Sequence, residues 1–149
     1  MKQNLLILAS IAVLFSACHI ASEEPVVEKE DCAYEAFGLL TIPSSGFTKE
    51  NLRTKIVLTN DELLDIYMFD VKFAALMPVT IDMVISGVGY NKSTNEIRFY
   101  GDSIIPTAGN KPYEKYIITD LVGQITADSL LIKNNYGDTP SIYQGKLAK

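Results

Sequence analysis

The chain of 149 residues has no tryptophan, one histidine and two cysteines. Zinc sites generally use several His or Cys ligands, so His19 together with Cys18 and Cys32 does not fit the common zinc patterns. Histidine-activated Ser or Cys nucleophiles are excluded from the body of the chain, because the one histidine is next to Cys18. Phosphate-binding glycine loops are also missing, as are calcium loops of alternating Asp and Asn ending in Glu. We therefore predict no catalytic activity, no metal and no cofactor.

Basic residues are outnumbered, with 13 Lys and Arg against 18 Asp and Glu, which gives a formal net charge of −5. Nucleic-acid binding needs clustered Lys and Arg to displace counterions from phosphates, so we expect no nucleic-acid partner. After the amino-terminal segment there is no further long apolar run, and no other segment is expected to span a membrane. The remaining length suits one domain with a single core.

The amino-terminal segment carries a localisation signal. Lys2 precedes an apolar run from Leu5 to Phe15, which has the layout of a secretory signal and is too short to span a bilayer. The sequence 14–18 (LFSAC) resembles a bacterial lipobox, and the resemblance implies cleavage before Cys18 and acylation of the Cys18 thiol and amine. The alternatives are a secretory signal cut elsewhere and an uncleaved anchor. Residues 1–17 are thus predicted to be a lipoprotein signal peptide, and an acylated Cys18 implies a domain that folds without a disulfide.

Residues 18–32 are predicted to be a lipidated amino terminus followed by a flexible tether. The segment 19–31 is acidic, has one proline and shows no apolar periodicity, so it cannot bury enough apolar surface to offset its ordering entropy. Within it, 22–24 (SEE) resembles the acidic export signal that sends some Bacteroidetes lipoproteins to the outer face of the outer membrane; a generic solvated spacer is the alternative. The expected location is the cell envelope, with the lipid in the outer membrane. The export-signal interpretation implies that the domain is exposed at the surface, whereas the spacer interpretation leaves the side of the membrane open.

From residue 33 to residue 149, an alternation of apolar and polar residues predicts an all-β domain. In 80–87 (TIDMVISG), Ile81, Met83 and Ile85 point one way and the polar side chains point the other. Turn signals separate these runs, and the short links favour antiparallel neighbours in a meander. The eight predicted strands are 34–42, 53–59, 63–74, 80–90, 95–102, 113–121, 128–134 and 141–148.

The third of these strands has an alternative. Residues 62–73 could form an amphipathic helix that begins after residue 60 or 61. Strand is favoured because four strand-favouring side chains alternate there, at Tyr67, Phe69, Val71 and Phe73.

An eight-strand meander can remove both of its edges by pairing the first strand with the last. The result is a barrel whose interior holds side chains or one small ligand. A sandwich of two sheets is the competing all-β arrangement.

Five segments, in this order, resemble the calycin-like (lipocalin-like) β-barrel domain of Bacteroidetes lipoproteins: 34–38 (YEAFG), 69–73 (FDVKF), 77–88 (MPVTIDMVISGV), 121–125 (LVGQI) and 142–146 (IYQGK). The resemblance covers residues 33–149 and implies an eight-stranded antiparallel up-and-down barrel, usually of unassigned molecular role. Calycins more broadly bind small hydrophobic molecules, or act as inhibitors and interaction modules. The chain departs from typical lipocalins in lacking the Gly-x-Trp element of strand one.

The inward-facing side chains of the predicted strands form an apolar interior. Ligand pockets are largely apolar, but the same composition describes a filled core, so two interpretations stay open. The first is a small hydrophobic ligand in or at the mouth of the barrel; the second is a protein- or glycan-interaction or structural module of the envelope. The interior candidates are Ile56, Leu58, Phe69, Val71, Phe73, Ile81, Met83, Ile85, Ile97 and Phe99.

Three aspartates are the remaining candidates for catalysis. Glycosidase chemistry needs two carboxyl groups facing each other across a cleft, so Asp65, Asp70 and Asp82 would have to converge in one. Asp82 alternates opposite the apolar face, which predicts a solvated outer position. We therefore expect these carboxylates to have no catalytic role.

Two short triplets, 102–104 (DSI) and 128–130 (DSL), resemble the acceptor sequence of Bacteroidetes O-glycosylation. The resemblance makes Ser103 and Ser129 glycosylation candidates. Ser103 is the better of the two because it adjoins a long loop.

Overall fold

The computed structural model describes residues 32–149. The predicted signal peptide (1–17), the predicted lipidation site Cys18 and the rest of the predicted tether up to residue 31 lie outside the described residues. Within the described range, no helix has the length and apolar character needed to cross a membrane.

The described chain consists mainly of β-strands, as the alternating pattern predicts. Ten strands belong to one sheet; eight are long, and two short ones, β6 and β7, form a hairpin beside β4. The strands are β1 (Ala33–Ile42), β2 (Phe47–Leu58), β3 (Leu63–Val71), β4 (Ile81–Lys92), β5 (Ile97–Gly101), β6 (Thr107–Ala108), β7 (Lys111–Pro112), β8 (Ile118–Ile125), β9 (Ser129–Tyr136) and β10 (Thr139–Leu147), with a 3-10 turn at Glu114–Tyr116.

The eight long strands close into a barrel. Each pairs antiparallel with the next along the chain, in the order β1, β2, β3, β4, β5, β8, β9, β10, and β10 returns to pair with β1. At the closing seam, Phe37 is opposite Lys146, and on its other side it is opposite Arg53. Among the strands of residues 32–149, closure leaves no long edge unpaired. The predicted all-β class and closed eight-stranded antiparallel meander are confirmed, and this barrel is compatible with a calycin-like fold.

Several predicted boundaries are wrong. The predicted strand 113–121 is a 3-10 turn followed by β8, which begins only at Ile118. The predicted strand 128–134 ends too early, because β9 continues to Tyr136. Asn134 and Tyr136 are consequently buried inside the barrel rather than exposed in a hairpin loop. The helical alternative for 62–73 is not what forms, since this segment contains β3.

The alternating strand directions place the loops at two opposite ends of the barrel. Cys32 and the carboxyl terminus share one end with the links 59–62, 93–96 and 126–128. The other end carries the longer links 72–80 and 102–117, and these fold over the barrel mouth. There the ring of Phe73 packs against Tyr136 at 4.5 Å and Tyr116 at 4.7 Å between centroids. The chain preceding the barrel therefore joins it at the end opposite the closed mouth.

Cys32 lies just before β1, where its carbonyl oxygen accepts a hydrogen bond from the Leu58 N–H at 3.0 Å. The Cys32 sulfur takes part in a disulfide bond, which differs from the expectation of a domain without one. The chain has one other cysteine, so a disulfide within one molecule and a lipid on the Cys18 thiol are mutually exclusive states.

Candidate functional site

Most of the predicted interior residues lie where the alternation places them. Leu58 and Ile81 follow the inward-facing pattern but are half-buried, near opposite ends of the barrel. Phe69 is on the outer face, so its prediction is wrong. The other seven are buried in one continuous apolar cluster: Ile56, Val71, Phe73, Met83, Ile85, Ile97 and Phe99.

The error at Phe69 comes from a bulge at the next residue. Asp70 has a φ of 55°, and the pairing of β3 with β4 shifts between Met68 and Val71. A bulge adds one residue to a strand and changes which side chains face inward. Met68 and Val71 therefore both face the interior, whereas Phe69 packs outside under the Arg53 guanidinium, 4.6 Å from ring centroid to Cζ.

The interior is occupied largely by side chains that were not among the candidates. The Tyr136 hydroxyl donates a hydrogen bond to Met68 Sδ at 3.1 Å, and the Tyr143 hydroxyl donates to the Leu52 carbonyl at 3.0 Å. Tyr143 can reach Leu52 because Gly145 has no side chain, and a Cβ atom there would collide with the Tyr143 hydroxyl. Burial raises the pKa of both phenols, so each remains a protonated donor at neutral pH.

A sequence signal for Tyr136 does exist. Ile132, Asn134 and Tyr136 continue the alternation of β9, and all three are buried. The prediction stopped the strand at residue 134, because Asn-Asn and Gly-Asp are strong turn signals. The only turn residues between β9 and β10 are Gly137 and Asp138, and Gly137 has a φ of 57°.

Two of the three candidate carboxylates, Asp65 and Asp82, bind backbone N–H groups at irregular points of the sheet, as Asp102 also does. The third, Asp70, accepts a hydrogen bond from the Thr80 hydroxyl at 3.1 Å. A bulged residue with positive φ cannot place its N–H in the regular ladder, so it needs another acceptor. Aspartates on the neighbouring strand or its end supply that acceptor three times: Asp82 for the N–H of Asp70 at 2.9 Å, Asp65 for Gly87 at 3.0 Å, and Asp102 for Asp120 at 3.1 Å. The hydrogen bond from Asp120 is also the main cause that lowers the pKa of Asp102. Within residues 32–149, no group of three or more His, Cys, Asp or Glu side chains is placed to hold a metal ion.

The two glycosylation candidates differ in accessibility. Ser103 is exposed in the bend after β5, with a φ of 55°, and its hydroxyl donates a hydrogen bond to Asp102 at 3.1 Å. Ser129 is half-buried at the start of β9, where its hydroxyl is 2.6 Å from that of Thr126. An enzyme could therefore reach Ser103 without disturbing a strand, whereas Ser129 is held in the sheet.

A shallow groove lies on the outer face of the barrel, across β10, β1 and β2. Its volume is about 510 Å³, within the range of small-molecule sites. The groove forms where β2 bulges: Asn51 has a φ of 53°, and the pairing of β1 with β2 shifts between Gly38 and Leu40. We call it the bulge groove, and its walls are Phe37, Gly38, Leu39, Glu50, Asn51, Gln144, Gly145 and Lys146.

The bulge groove combines an exposed ring with polar side chains. Phe37 is 48% exposed, which is unusual for a phenylalanine at the centre of a strand. Four polar side chains surround it, and no hydrogen bond or ion pair within the described residues engages any of them: Glu50, Asn51, Gln144 and Lys146. Their donors and acceptors are therefore available to a ligand.

A second concavity of about 300 Å³ lies on the outer face of β5, β8 and β9. Val122 is its exposed apolar residue, and Lys133 and Gln124 are among its polar walls. It has no aromatic wall, and Gln124 already donates a hydrogen bond to Glu96. The bulge groove is therefore the better candidate site.

The sequence signals for the bulge groove were weak. Phe37 is part of the segment 34–38 that carries the family resemblance, but its outward direction is an ordinary feature of alternation. The groove itself depends on the positive φ of Asn51, which has no reliable signature in a single sequence. It was therefore not predicted.

Comparisons with known proteins add no functional assignment. The chain matches no protein-family model, no curated protein and no solved structure.

Proposed function

We propose that this protein is a lipid-anchored interaction module of the bacterial cell envelope that binds a glycan in the bulge groove. The observation that carries the proposal is the exposed Phe37 ring surrounded by four polar side chains without partners. A sugar ring has an apolar face that packs on an aromatic ring, and hydroxyl groups at its edge that need donors and acceptors. An amide pair, a carboxylate and an ammonium group supply both.

A glycan suits this surface better than a folded protein partner does. A stable protein interface buries about 800 Å² on each side and has a continuous apolar centre. The exposed large apolar residues of the barrel are divided among several places instead. Phe37 and Leu39 are at the groove, Tyr100 and Val122 are near the second concavity, Leu63 is at the start of β3, and the links 72–80 and 102–117 carry Leu76, Val79 and Ile105. The distribution of exposed apolar residues therefore fits a small groove with a polar rim better than it fits a broad protein-docking face.

The interior is less suited to a ligand, which favours the second interpretation of the barrel over the first. A small hydrophobic molecule would have to displace Tyr136 or Tyr143, and each makes a buried hydrogen bond. It would also have to pass the packed rings of Phe73, Tyr113 and Tyr116 at the mouth. A role as carrier of an apolar ligand remains a prediction with weaker support.

The anchoring part of the proposal rests on the lipobox-like sequence at 14–18 and on the resemblance to Bacteroidetes lipoproteins. We expect the protein isolated from membranes of a Bacteroidetes host to begin at Cys18 and to carry acyl groups there. Intact mass spectrometry under denaturing conditions measures this directly. Cys18→Ser should leave the signal peptide in place and the chain unlipidated, whereas the matched Cys32→Ser variant should still be lipidated.

The same spectrum also decides between the two states of the cysteines. A mature chain without acyl groups, with both cysteines oxidised, would contradict the anchor while leaving the barrel and its groove unaffected. A separate measurement decides whether the anchored domain is exposed at the cell surface. If it is, protease added to intact cells should cleave the protein.

Glycan binding is tested with Phe37→Ala. We expect the unaltered protein to bind at least one member of a panel of soluble envelope oligosaccharides, namely peptidoglycan fragments and lipopolysaccharide-derived oligosaccharides. Loss of the ring should weaken that binding by at least about tenfold, a difference of about 1.4 kcal/mol. Isothermal titration calorimetry gives the affinity, and Phe37→Tyr should retain it because the stacking face is kept.

Tyr100→Ala is the matched control, since Tyr100 is 54% exposed on another part of the outer face. It should leave the affinity unchanged and should destabilise the fold no more than Phe37→Ala does. Equal loss of affinity in both variants, or no binding by the unaltered protein to any member of the panel, would contradict the proposal.

A further inference from the structure

Two polar atoms inside the barrel have no hydrogen-bond partner. They are the hydroxyl oxygen of Thr54, a residue with no exposed surface, and the amide nitrogen of Asn134, a residue that is 5% exposed. Both belong to inward-facing positions, on β2 and β9 respectively. Such atoms are rare in folded proteins, because each gives up its hydrogen bonds to bulk water on folding and receives nothing in return. The nearest phenols are those of Tyr143 beside Thr54 and Tyr136 beside Asn134, close enough for each neighbour to lower the pKa of the phenol. Neither contact has the distance and angle of a hydrogen bond, which leaves room for a bridging partner.

The unpartnered amide atom of Asn134 does not depend on how the amide is oriented. Its oxygen accepts a hydrogen bond from the Ser141 hydroxyl at 3.1 Å, which leaves the nitrogen unpartnered. If the amide were rotated by half a turn, the nitrogen could donate to the Ser141 oxygen, but the amide oxygen would then be unpartnered instead. One polar atom of Asn134 thus needs a further partner in either orientation.

The two residues are connected through one layer of the interior. Thr54 is directly opposite Met68 in the pairing of β2 with β3, and the Tyr136 hydroxyl reaches Met68 from β9. Tyr136 is two residues after Asn134 and on the same inward-facing side of that strand. Sulfur is a weak acceptor, and the Tyr136 oxygen keeps its own acceptor capacity. The layer therefore offers hydroxyl, phenol and amide groups that converge from both sides of the barrel.

We infer that this layer is an internal hydration site, with ordered water bonded to Thr54 and Asn134. Folded proteins hold about one buried water per 27 residues, and each typically makes about three hydrogen bonds to groups that the chain leaves unpartnered. The phenol oxygens of Tyr143, beside Thr54, and Tyr136, beside Asn134, are available as further partners. The barrel interior is then filled by side chains together with water, rather than being a dry core or a cavity for an apolar ligand. This inference is independent of the bulge groove.

Thr54→Val in the full chain separates a hydrated layer from a dry one, because the substitution keeps the shape of the side chain and removes its hydroxyl. If water is bonded there, the variant loses a hydrogen bond, and the equilibrium constant of unfolding should rise by about fivefold. If the hydroxyl truly lacks a partner, its removal abolishes a desolvation cost, and the constant should stay the same or fall. Either of those results would overturn the inference.

Thr48→Val is the matched control, since Thr48 is exposed on the same strand. It should change the unfolding constant by less than about twofold. A second measurement needs no variant: in the isotope-labelled full chain, the side-chain amide protons of Asn134 should show a nuclear Overhauser effect to a long-lived water. Absence of that transfer would overturn the inference even if Thr54→Val failed to fold.

Discussion

Replacing Gly123 by alanine is expected to lower the free energy of unfolding by about 3 kcal/mol, at the upper end for overpacked cores. A Cβ atom on Gly123 would overlap the ring of Phe99, which is directly opposite it in the pairing of β5 with β8. Phe99 is buried in the barrel, so its ring cannot move into solvent. Denaturant unfolding followed by circular dichroism measures the change.

Gly89→Ala is the matched control for Gly123→Ala. A Cβ atom there would come within 3.3 Å of the Tyr100 ring, and this exposed side chain can turn away. The expected loss is below about 1 kcal/mol. Adding Phe99→Leu to Gly123→Ala should recover part of the loss, because the smaller side chain makes room. If the loss of stability in the double variant equalled the sum of the losses in the two single variants, a direct contact between the Phe99 ring and residue 123 would be contradicted.

Tyr136→Ala is expected to lower the free energy of unfolding by about 3–5 kcal/mol, because it empties the centre of a filled barrel. Tyr136 is 1% exposed, packs on the Phe73 ring and donates its hydroxyl to Met68. Thermal or denaturant unfolding gives the loss. The new space should also bind a small apolar probe such as benzene or xenon, which the unaltered protein should not bind.

Two further variants separate loss of volume from loss of the phenol group. Tyr136→Phe removes only a hydrogen bond to a weak acceptor and should cost less than about 1.5 kcal/mol. Tyr100→Ala removes an exposed ring and should change stability by less than about 0.5 kcal/mol. A loss below about 1 kcal/mol in Tyr136→Ala would mean that the interior already contains empty space around this ring, which the account excludes.

The closed barrel could be predicted because its evidence is distributed along the whole chain. Alternation in segments such as 80–87 sets one face of each strand inward, and short links dictate that neighbours run antiparallel. Once eight such strands were recognised, closure followed from the cost of leaving an edge unpaired. None of these steps required knowledge of any one side chain's exact surroundings.

The errors occur where the period of two is interrupted. The bulge at Asp70 directs Val71 into the interior while Phe69 stays on the outer face, and the bulge at Asn51 forms the groove beside Phe37. Each depends on a single residue of positive φ, which Asn and Asp adopt more readily than other residues but not consistently. A different error occurs at Tyr136, where strong turn signals predict a loop although the residue is buried in β9.

Residue type alone does not reveal what the candidate carboxylates do in the structure. By residue type alone, Asp65 and Asp82 are candidates for catalysis, because carboxylates can act as acids and bases. Their partners in the structure are backbone N–H groups at the bulges of the neighbouring strand. Those hydrogen bonds become visible only once the register of β3 against β4 is known, since the partners are separated by many residues in the chain.

We infer that the barrel interior is filled by its own side chains and by water, and that recognition takes place on the outside. Native mass spectrometry of the mature protein, released from its host membrane in mild detergent, tests this most directly. We expect the mass of the chain with its covalent acyl groups and no further stoichiometric apolar molecule. A non-covalent apolar ligand that is retained in the native spectrum, lost on denaturation and present in the interior would contradict the account.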